Sequence, residues 1–236
     1  MEISAVAPTE LVTDELALLQ HLVPLRAQHI IELGCGAAQL SRRLLQTHPA
    51  CSVSALEVDE QQHAKNLAEP PTPGLSFVPA GAQAIPFVDA SFDLALMLKS
   101  LHHVPLELLD TALAETRRVL RPDGLLYVSE PVFDGPLNEV MRLFADEQQV
   151  RRAAYQALQR ALASGGWREV TEHHFLMPVH FADFDEFERR MTGVTFAERR
   201  FDGPLREQVR ARFEAVRPPA GEPFVRPMRI NLLQKI

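Results

Sequence analysis

The chain has 236 residues, 46% of them hydrophobic, enough for one well-buried α/β core but too few for two large independent ones. A net charge of −7 provides no broad basic surface for a phosphate backbone, so a small-molecule partner is expected and nucleic acid is not. Two cysteines, Cys35 and Cys51, exclude a disulfide framework and a cysteine-rich zinc site, and the adjacent pairs His102-His103 and His173-His174 are badly spaced for sharing one ion, so no metal is expected.

Thr13 or Asp14 is able to cap a helix running through Leu16, Leu18, Leu19 and Leu22 to a stop near Pro24. Residues 30–33 read as the first strand, followed by Gly34, Gly36 and a helix over 39–46. A short buried strand at 53–57 and a helix at 60–68 lead through Pro70-Pro71-Thr72-Pro73-Gly74, a loop, to a third strand at 75–79. The apolar run Phe92-Asp93-Leu94-Ala95-Leu96-Met97-Leu98 has the pattern of a central parallel strand covered on both faces. Pro105 suits the first turn of a helix predicted over 106–120, where Leu108, Leu109, Ala112, Leu113 and Thr116 recur at helical spacing. Arg121-Pro122-Asp123-Gly124 is read as its end, and 125–129 as the fifth strand. Helical segments between 136 and 163, a sixth strand at 167–175, two helical patterns between 181 and 223 and a last strand at 228–235 complete the chain. No apolar run approaches the roughly 20 residues a membrane span needs, and Met1-Glu2-Ile3-Ser4 lacks the character of a signal peptide; a cytoplasmic protein without membrane insertion is expected.

Strands alternating with helices predict an α/β fold, a doubly wound and mostly parallel seven-stranded sheet with right-handed crossovers. It is expected to be one domain over 1–236, with elements that cap the substrate at 1–25, 133–163 and 181–223. Ligands of such sheets lie beyond the carboxyl ends of the strands, near the topological switch point. The Gly34 loop, Glu57, residues 80–83, residues 99–103 and Glu130 then share one rim.

Gly34 and Gly36 follow a buried strand and open a helix, where missing side chains let backbone amides approach a ligand. A dinucleotide fingerprint needs a third glycine where Gln39 stands, which weakens a dehydrogenase reading. Glu57 ends the second strand about 20 residues later, where an acid is able to accept hydrogen bonds from both hydroxyls of a ribose; Asp59 is the rival.

Glu32-Leu33-Gly34-Cys35-Gly36-Ala37-Ala38 resembles the first motif of class I S-adenosylmethionine-dependent methyltransferases, with Ala38 in place of the last glycine. Ser91-Phe92-Asp93-Leu94-Ala95-Leu96, Ser100-Leu101-His102-His103-Val104-Pro105 and Arg118-Val119-Leu120-Arg121-Pro122-Asp123-Gly124 resemble the family's fourth and fifth segments, in order and at matching spacing. The likeness covers residues 30–131 and points to the small-molecule branch that includes quinone-biosynthesis methyltransferases. It implies the Rossmann-like methyltransferase fold, S-adenosylmethionine as cofactor and S-adenosylhomocysteine as product. The implied cofactor contacts are Glu32, Gly34, Cys35, Gly36, Glu57, Gly81, Ala82, Gln83, Leu98 and Lys99. At the place where the family usually has an aspartate facing the adenine amine, this sequence has Gly81; either the Gln83 amide oxygen or the backbone of Gly81 and Ala82 would read the ring.

The reaction the resemblance implies is in-line displacement of a methyl group from a sulfonium by a small-molecule acceptor, with alignment and exclusion of water supplying most of the catalysis. His102 and His103 are the candidates for a general base, being able to titrate near neutral pH; alternatively one of them caps the next helix or packs on the sheet. Lys99, His103, Glu130, Phe133, Asn138 and Arg142 are the candidate substrate contacts, with Lys99 holding an acidic group or reaching solvent and Glu130 orienting the substrate or pairing with Lys99. Phe184, Phe187 and Met191 are read as closing over them. A non-catalytic nucleoside sensor or scaffold of the same fold is the alternative.

Overall fold

The computed structural model describes residues 10–195 and 202–236. Parts of two expected caps, residues 1–9 and 196–201, lie outside the described residues. The chain forms two compact units. The larger comprises Asp14–Glu130, Gln148–Glu172 and Ile230–Ile236, and the described residues of the smaller are 10–13, 131–147, 173–195 and 202–229.

Seven strands form one sheet: β1 (His29–Leu33), β2 (Ser52–Leu56), β3 (Leu75–Val78), β4 (Phe92–Leu98), β5 (Leu120–Pro131), β6 (Trp167–Val179) and β7 (Phe224–Lys235). Their order is β3-β2-β1-β4-β5-β7-β6. Pairings β1–β2, β1–β4, β2–β3 and β4–β5 are parallel. The chain winds outward from β1 to β3 and then returns to β4 on the other side, which makes the β1/β4 boundary the switch point. The expected doubly wound, mostly parallel α/β sheet is the one observed.

In the larger unit, strand alternation sends Ile31, Leu33, Ala95, Met97, Leu126 and Val128 to one face, where they pack with Leu109 and Leu113, Ala157 and Leu158, and Trp167. Each fully buried aliphatic side chain contributes about 1.5–3 kcal/mol. Glu32, Leu96, Tyr127 and Ser129 consequently point to the opposite face. Two of its helices lie there: α1 (Glu15–Leu22), capped by Asp14 rather than Thr13 through the Leu16 amide at 2.9 Å, and α2 (Gln39–Thr47). The remaining helices of this unit are α3 (Glu60–Ala68), α4 (Leu109–Val119) and α6 (Gln148–Ala163).

Two local expectations are revised. The helix read over 106–120 is split: a 3₁₀ turn spans Leu106–Leu108 and α-geometry starts only at Leu109. Pro105, extended at ψ 138°, closes that tight turn by accepting from the Leu108 amide at 2.8 Å. Residues 121–124 do not follow a helix that reaches Leu120. Leu120 already pairs with Phe92, the ladder resumes at Leu94↔Leu125, and the intervening four residues loop out. Asp123 accommodates this with φ +62°, a region where Asp is tolerated better than most residues.

The smaller unit contains α5 (Pro136–Met141), α7 (Phe184–Thr192) and α8 (Gly203–Val216). Its core is aromatic: Phe181 meets Phe187 edge-on with centroids 5.3 Å apart, and Phe184 meets Phe213 at 5.7 Å. Arg210 stacks over Phe184 at 4.5 Å and Arg190 over Phe181 at 4.6 Å. Among the described residues, no helix is long and apolar enough to cross a membrane.

Candidate cofactor-binding site

The parallel register brings the carboxyl ends of β1, β2, β4 and β5 to one edge of the larger unit, since Leu33 pairs with Leu56 and Leu98 with Ser129. The turn after β1 is built by three left-handed residues, Gly34 (φ +72°), Gly36 (φ +53°) and Ala38 (φ +51°). Gly34 is required twice over. Its φ favours glycine, and a Cβ there would stand 2.8 Å from Cβ of Ser100. Ser100 in turn donates to the Leu33 carbonyl at 2.6 Å, binding the β4 end to the β1 end. Ala38 tolerates the same backbone region while fully buried, which accounts for how the loop closes without the third glycine of the family motif.

Glu57 fixes this loop. One carboxylate oxygen accepts from the Gly36 amide at 2.8 Å and the other from the Asp59 amide at 2.9 Å. Each oxygen of a carboxylate has two lone pairs, so both keep an acceptor position beyond these bonds. Asp59, the rival acid, instead caps α3 by accepting from the Gln61 and Gln62 amides at 2.9 and 3.2 Å. Asn66 of α3 completes the turn by donating to the Gly36 carbonyl at 2.7 Å.

Cys35 is buried, its thiol raised far above the usual range by burial and then by the charges of Glu32 and Glu57. It is a packing residue with a backbone role: its amide and that of Gly34 both donate to the Leu56 carbonyl. Glu32 lies on the inner face, where Ser41 Oγ donates to it at 2.5 Å. Burial pushes its carboxyl up to about 7, against the opposing effects of the Ser41 bond and the Lys99 charge.

At the third segment, the side chain of Gln83 folds back over Gly81. All three atoms of its amide group lie within 2.8 Å of where a Cβ at 81 would stand. An aspartate at 81 would therefore evict the amide: the space beside this backbone position holds a polar group in either case, one delivered from two residues later. Ala82 is buried and packs in the main core.

Beyond β4, Lys99 has a left-handed backbone (φ +58°), and its ammonium pairs with Glu15 of α1 at 2.7 Å. Glu130 pairs with His102 Nδ1 and accepts from the Leu101 amide at 2.8 Å, both side chains being buried. It thus binds the 3₁₀ turn at Leu101–His103, not Lys99. His103 is exposed, with its ring centroid 4.1 Å from that of His102. Phe133, Asn138 and Arg142 belong to the smaller unit, where Arg142 lies over the Phe133 ring at 5.7 Å and Asn138 is buried in α5. Phe184 and Phe187 face that unit's own core.

Arg118 shows what the last motif segment does. Its guanidinium donates to the carbonyls of Ile85 and Phe87 at 3.0 and 2.8 Å and to Glu115 and Asp89. This fastens the loop after the Gly81–Gln83 segment to α4. The sequence did not single out Asn66 or Glu15; they come from α3 and α1, and neither carries a local spacing signal.

Residues 31–128 match a family model described as a methyltransferase domain. An O-methyltransferase of Penicillium expansum is 30% identical over 159 residues, 63% of this chain and 55% of that protein. The ubiquinone/menaquinone biosynthesis C-methyltransferase of Paracoccus denitrificans is 31% identical over 121 residues, 48% of this chain and 46% of that protein. The chain thus spans about half the length of these relatives. The crystal structure of YcgJ from Bacillus subtilis superposes with a TM-score of 0.63 at 18% identity, covering 93% of this chain and 96% of that one.

Proposed function

We propose that this chain, whose residues 31–128 match a methyltransferase domain, is a class I S-adenosylmethionine-dependent methyltransferase that binds S-adenosylmethionine along the carboxyl edge of the sheet and transfers the methyl group to a small-molecule acceptor. The observation that carries this reading is Glu57: a buried acid, held by the amide of the glycine loop, with an acceptor position left on each oxygen. Those acceptor positions suit the two hydroxyl donors of a ribose diol. The exposed face of Gly34, whose own amide is engaged with Leu56, leaves room for a ligand to lie against the loop. Gln83 is the adenine reader, since its amide offers an acceptor to the exocyclic amine and a donor to a ring nitrogen.

The cofactor, when bound, supplies an electrophilic methyl group carried on a sulfonium. The protein's part is to orient and to exclude water. Glu57 and the Gly34 loop fix the nucleoside, and the Ser100 bond to Leu33 keeps the ends of β1 and β4 at a constant separation. His103, the exposed member of the pair, is the ring able to take a proton from an acceptor that needs deprotonating. His102 holds the turn that presents it through its bond to Glu130.

The test is formation of S-adenosylhomocysteine when the protein is supplied with S-adenosylmethionine and a protein-free metabolite extract. Product above the extract-free control, lost in Glu57→Ala, is the expected result. Tight cofactor binding without product from any extract would instead make the chain a nucleoside-binding sensor.

A further inference from the structure

Helix α6 has no aspartate or glutamate and carries three arginines, Arg151, Arg152 and Arg160. Ala154, Ala157 and Leu158 bury one face of it in the core of the larger unit. Two polar contacts hold it from either side: Tyr155 donates to Glu172 of β6 at 3.0 Å, and Arg160 pairs with Asp110 at the start of α4 at 2.8 Å. A cavity of about 380 Å³, of a size that takes a small molecule, lies against this helix and is lined by Gln148, Gln149, Arg152, Ala153 and Gln156. Each polar side chain of that lining carries N–H donors, and among the described residues no acid lines it. The side chains of Gln149, Arg152 and Gln156 make no hydrogen bond or ion pair with another described residue. Arg152 is thus a cation without a protein counter-charge, whereas Arg160 on the same helix is matched by a carboxylate.

Helix geometry places the cavity. Gln149, Ala153, Gln156 and Arg160 form one stripe along α6, and the Arg160 end of that stripe faces the first turn of α4. The two helices run the same way, since Arg160 meets Asp110 and, further along both, the Gly166 carbonyl meets Arg117. At 1.5 Å per residue, Arg152 stands about 12 Å back along α6 from Arg160. Back from Asp110 the chain is the tight turn Leu106–Leu108, then Pro105, then the 3₁₀ turn Leu101–His103, against which α6 packs. The cavity therefore flanks the turn that presents His103.

We propose that the methyl acceptor is a carboxylic acid, its carboxylate held by the Arg152 guanidinium between the Gln149 and Gln156 amides and its reacting atom directed to the His103 turn. One unpaired cation balances one negative charge, which fits a carboxylate better than a phosphate dianion. A planar guanidinium also matches the two oxygens of a carboxylate with two parallel N–H bonds. Because α6 is fixed from both sides, these donors are in position before the acceptor arrives. The assignment rests on the methyl-transfer reading above and adds the class of substrate to it.

The test measures transfer from methyl-labelled S-adenosylmethionine to a protein-free metabolite extract divided on an anion-exchange resin into retained acids and flow-through, the retained part also after phosphatase treatment. The wild type should label the retained fraction, with or without phosphatase. Arg152→Gln should need about tenfold or more of that fraction for the same rate and approach the wild-type rate as the fraction is concentrated. Its affinity for S-adenosylmethionine in calorimetry should stay within about twofold of the wild type, with an unchanged unfolding temperature. Arg152→Lys should fall between the two, and Gln159→Ala, on the same helix outside the cavity, should match the wild type. Labelling confined to the flow-through, its loss after phosphatase, or an unaltered Arg152→Gln would overturn the carboxylate seat and leave the methyl-transfer reading standing. Labelling of neither fraction would overturn the methyl-transfer reading itself, and this assignment with it.

Discussion

Two carboxylates stand on the carboxyl edge of one sheet, Glu57 after β2 and Glu130 near the end of β5, and they hold different elements. Glu130 pairs with the His102 side chain and accepts from the Leu101 amide, so it holds the 3₁₀ turn. Glu57 accepts from the Gly36 and Asp59 amides, so it holds the glycine loop. Both acids are buried, 3% and 8% exposed, and each oxygen accepts one bond, so neither burial nor hydrogen-bond count separates them. The element each acid holds, more than its burial, distinguishes the proposed ligand contact from a fastening.

Substitution should expose the contrast, beginning with the largest effect. His102→Ala leaves a buried carboxylate without its partner and should cost about 3–5 kcal/mol in denaturant unfolding, with S-adenosylmethionine affinity changed less than about threefold in the folded fraction. A large affinity loss at intact stability would erase the distinction.

Glu32 is a third kind of acid, buried and only partly compensated by Ser41. Its carboxyl is held up to about 7 from an ordinary value of 4.5. Between those values the folded protein keeps a proton that the unfolded chain has released, so stability is undiminished below about 4.5 and is progressively lost as pH rises through about 7. The loss is about 3 kcal/mol. Glu32→Gln should flatten this dependence and unfold later than the wild type at pH 8; parallel stability curves for the two proteins would contradict the assignment.

Glu57→Ala should act on affinity first, weakening S-adenosylmethionine by about 1–3 kcal/mol. Gly81→Asp is the mildest change. It displaces the Gln83 amide while supplying a new acceptor, and should alter affinity by less than about 1 kcal/mol. Gln83→Ala, which removes the group without a replacement, should cost more than Gly81→Asp, and the reverse order in calorimetry would show that the adenine is read by backbone groups.

The same contrast explains what was legible in the sequence. Gly34, Gly36 and Glu57 announce themselves because backbone geometry and spacing along the chain dictate them, and the Phe92 strand does so by its unbroken apolar run. The split of the helix at 106–120 was not visible, because residues 106–108 have ordinary helical spacing and only the extended Pro105 tightens them. Glu15 meets Lys99 across 84 residues, and Asn66 meets Gly36 across 30. Partnerships of that range are set by the fold, so no local pattern betrays them. Sequence likewise could not tell which of two adjacent histidines would be buried, since a 3₁₀ turn and not a strand or α-helix sets their directions.

The central claim is that the Gly34 loop and Glu57 form a cofactor-binding rim, and titration calorimetry of S-adenosylmethionine into the wild type and Glu57→Ala tests it most directly. The account predicts saturable one-to-one binding to the wild type and an affinity about 5- to 150-fold weaker in the variant. Undetectable binding to the wild type, or equal affinity for both proteins, would contradict it.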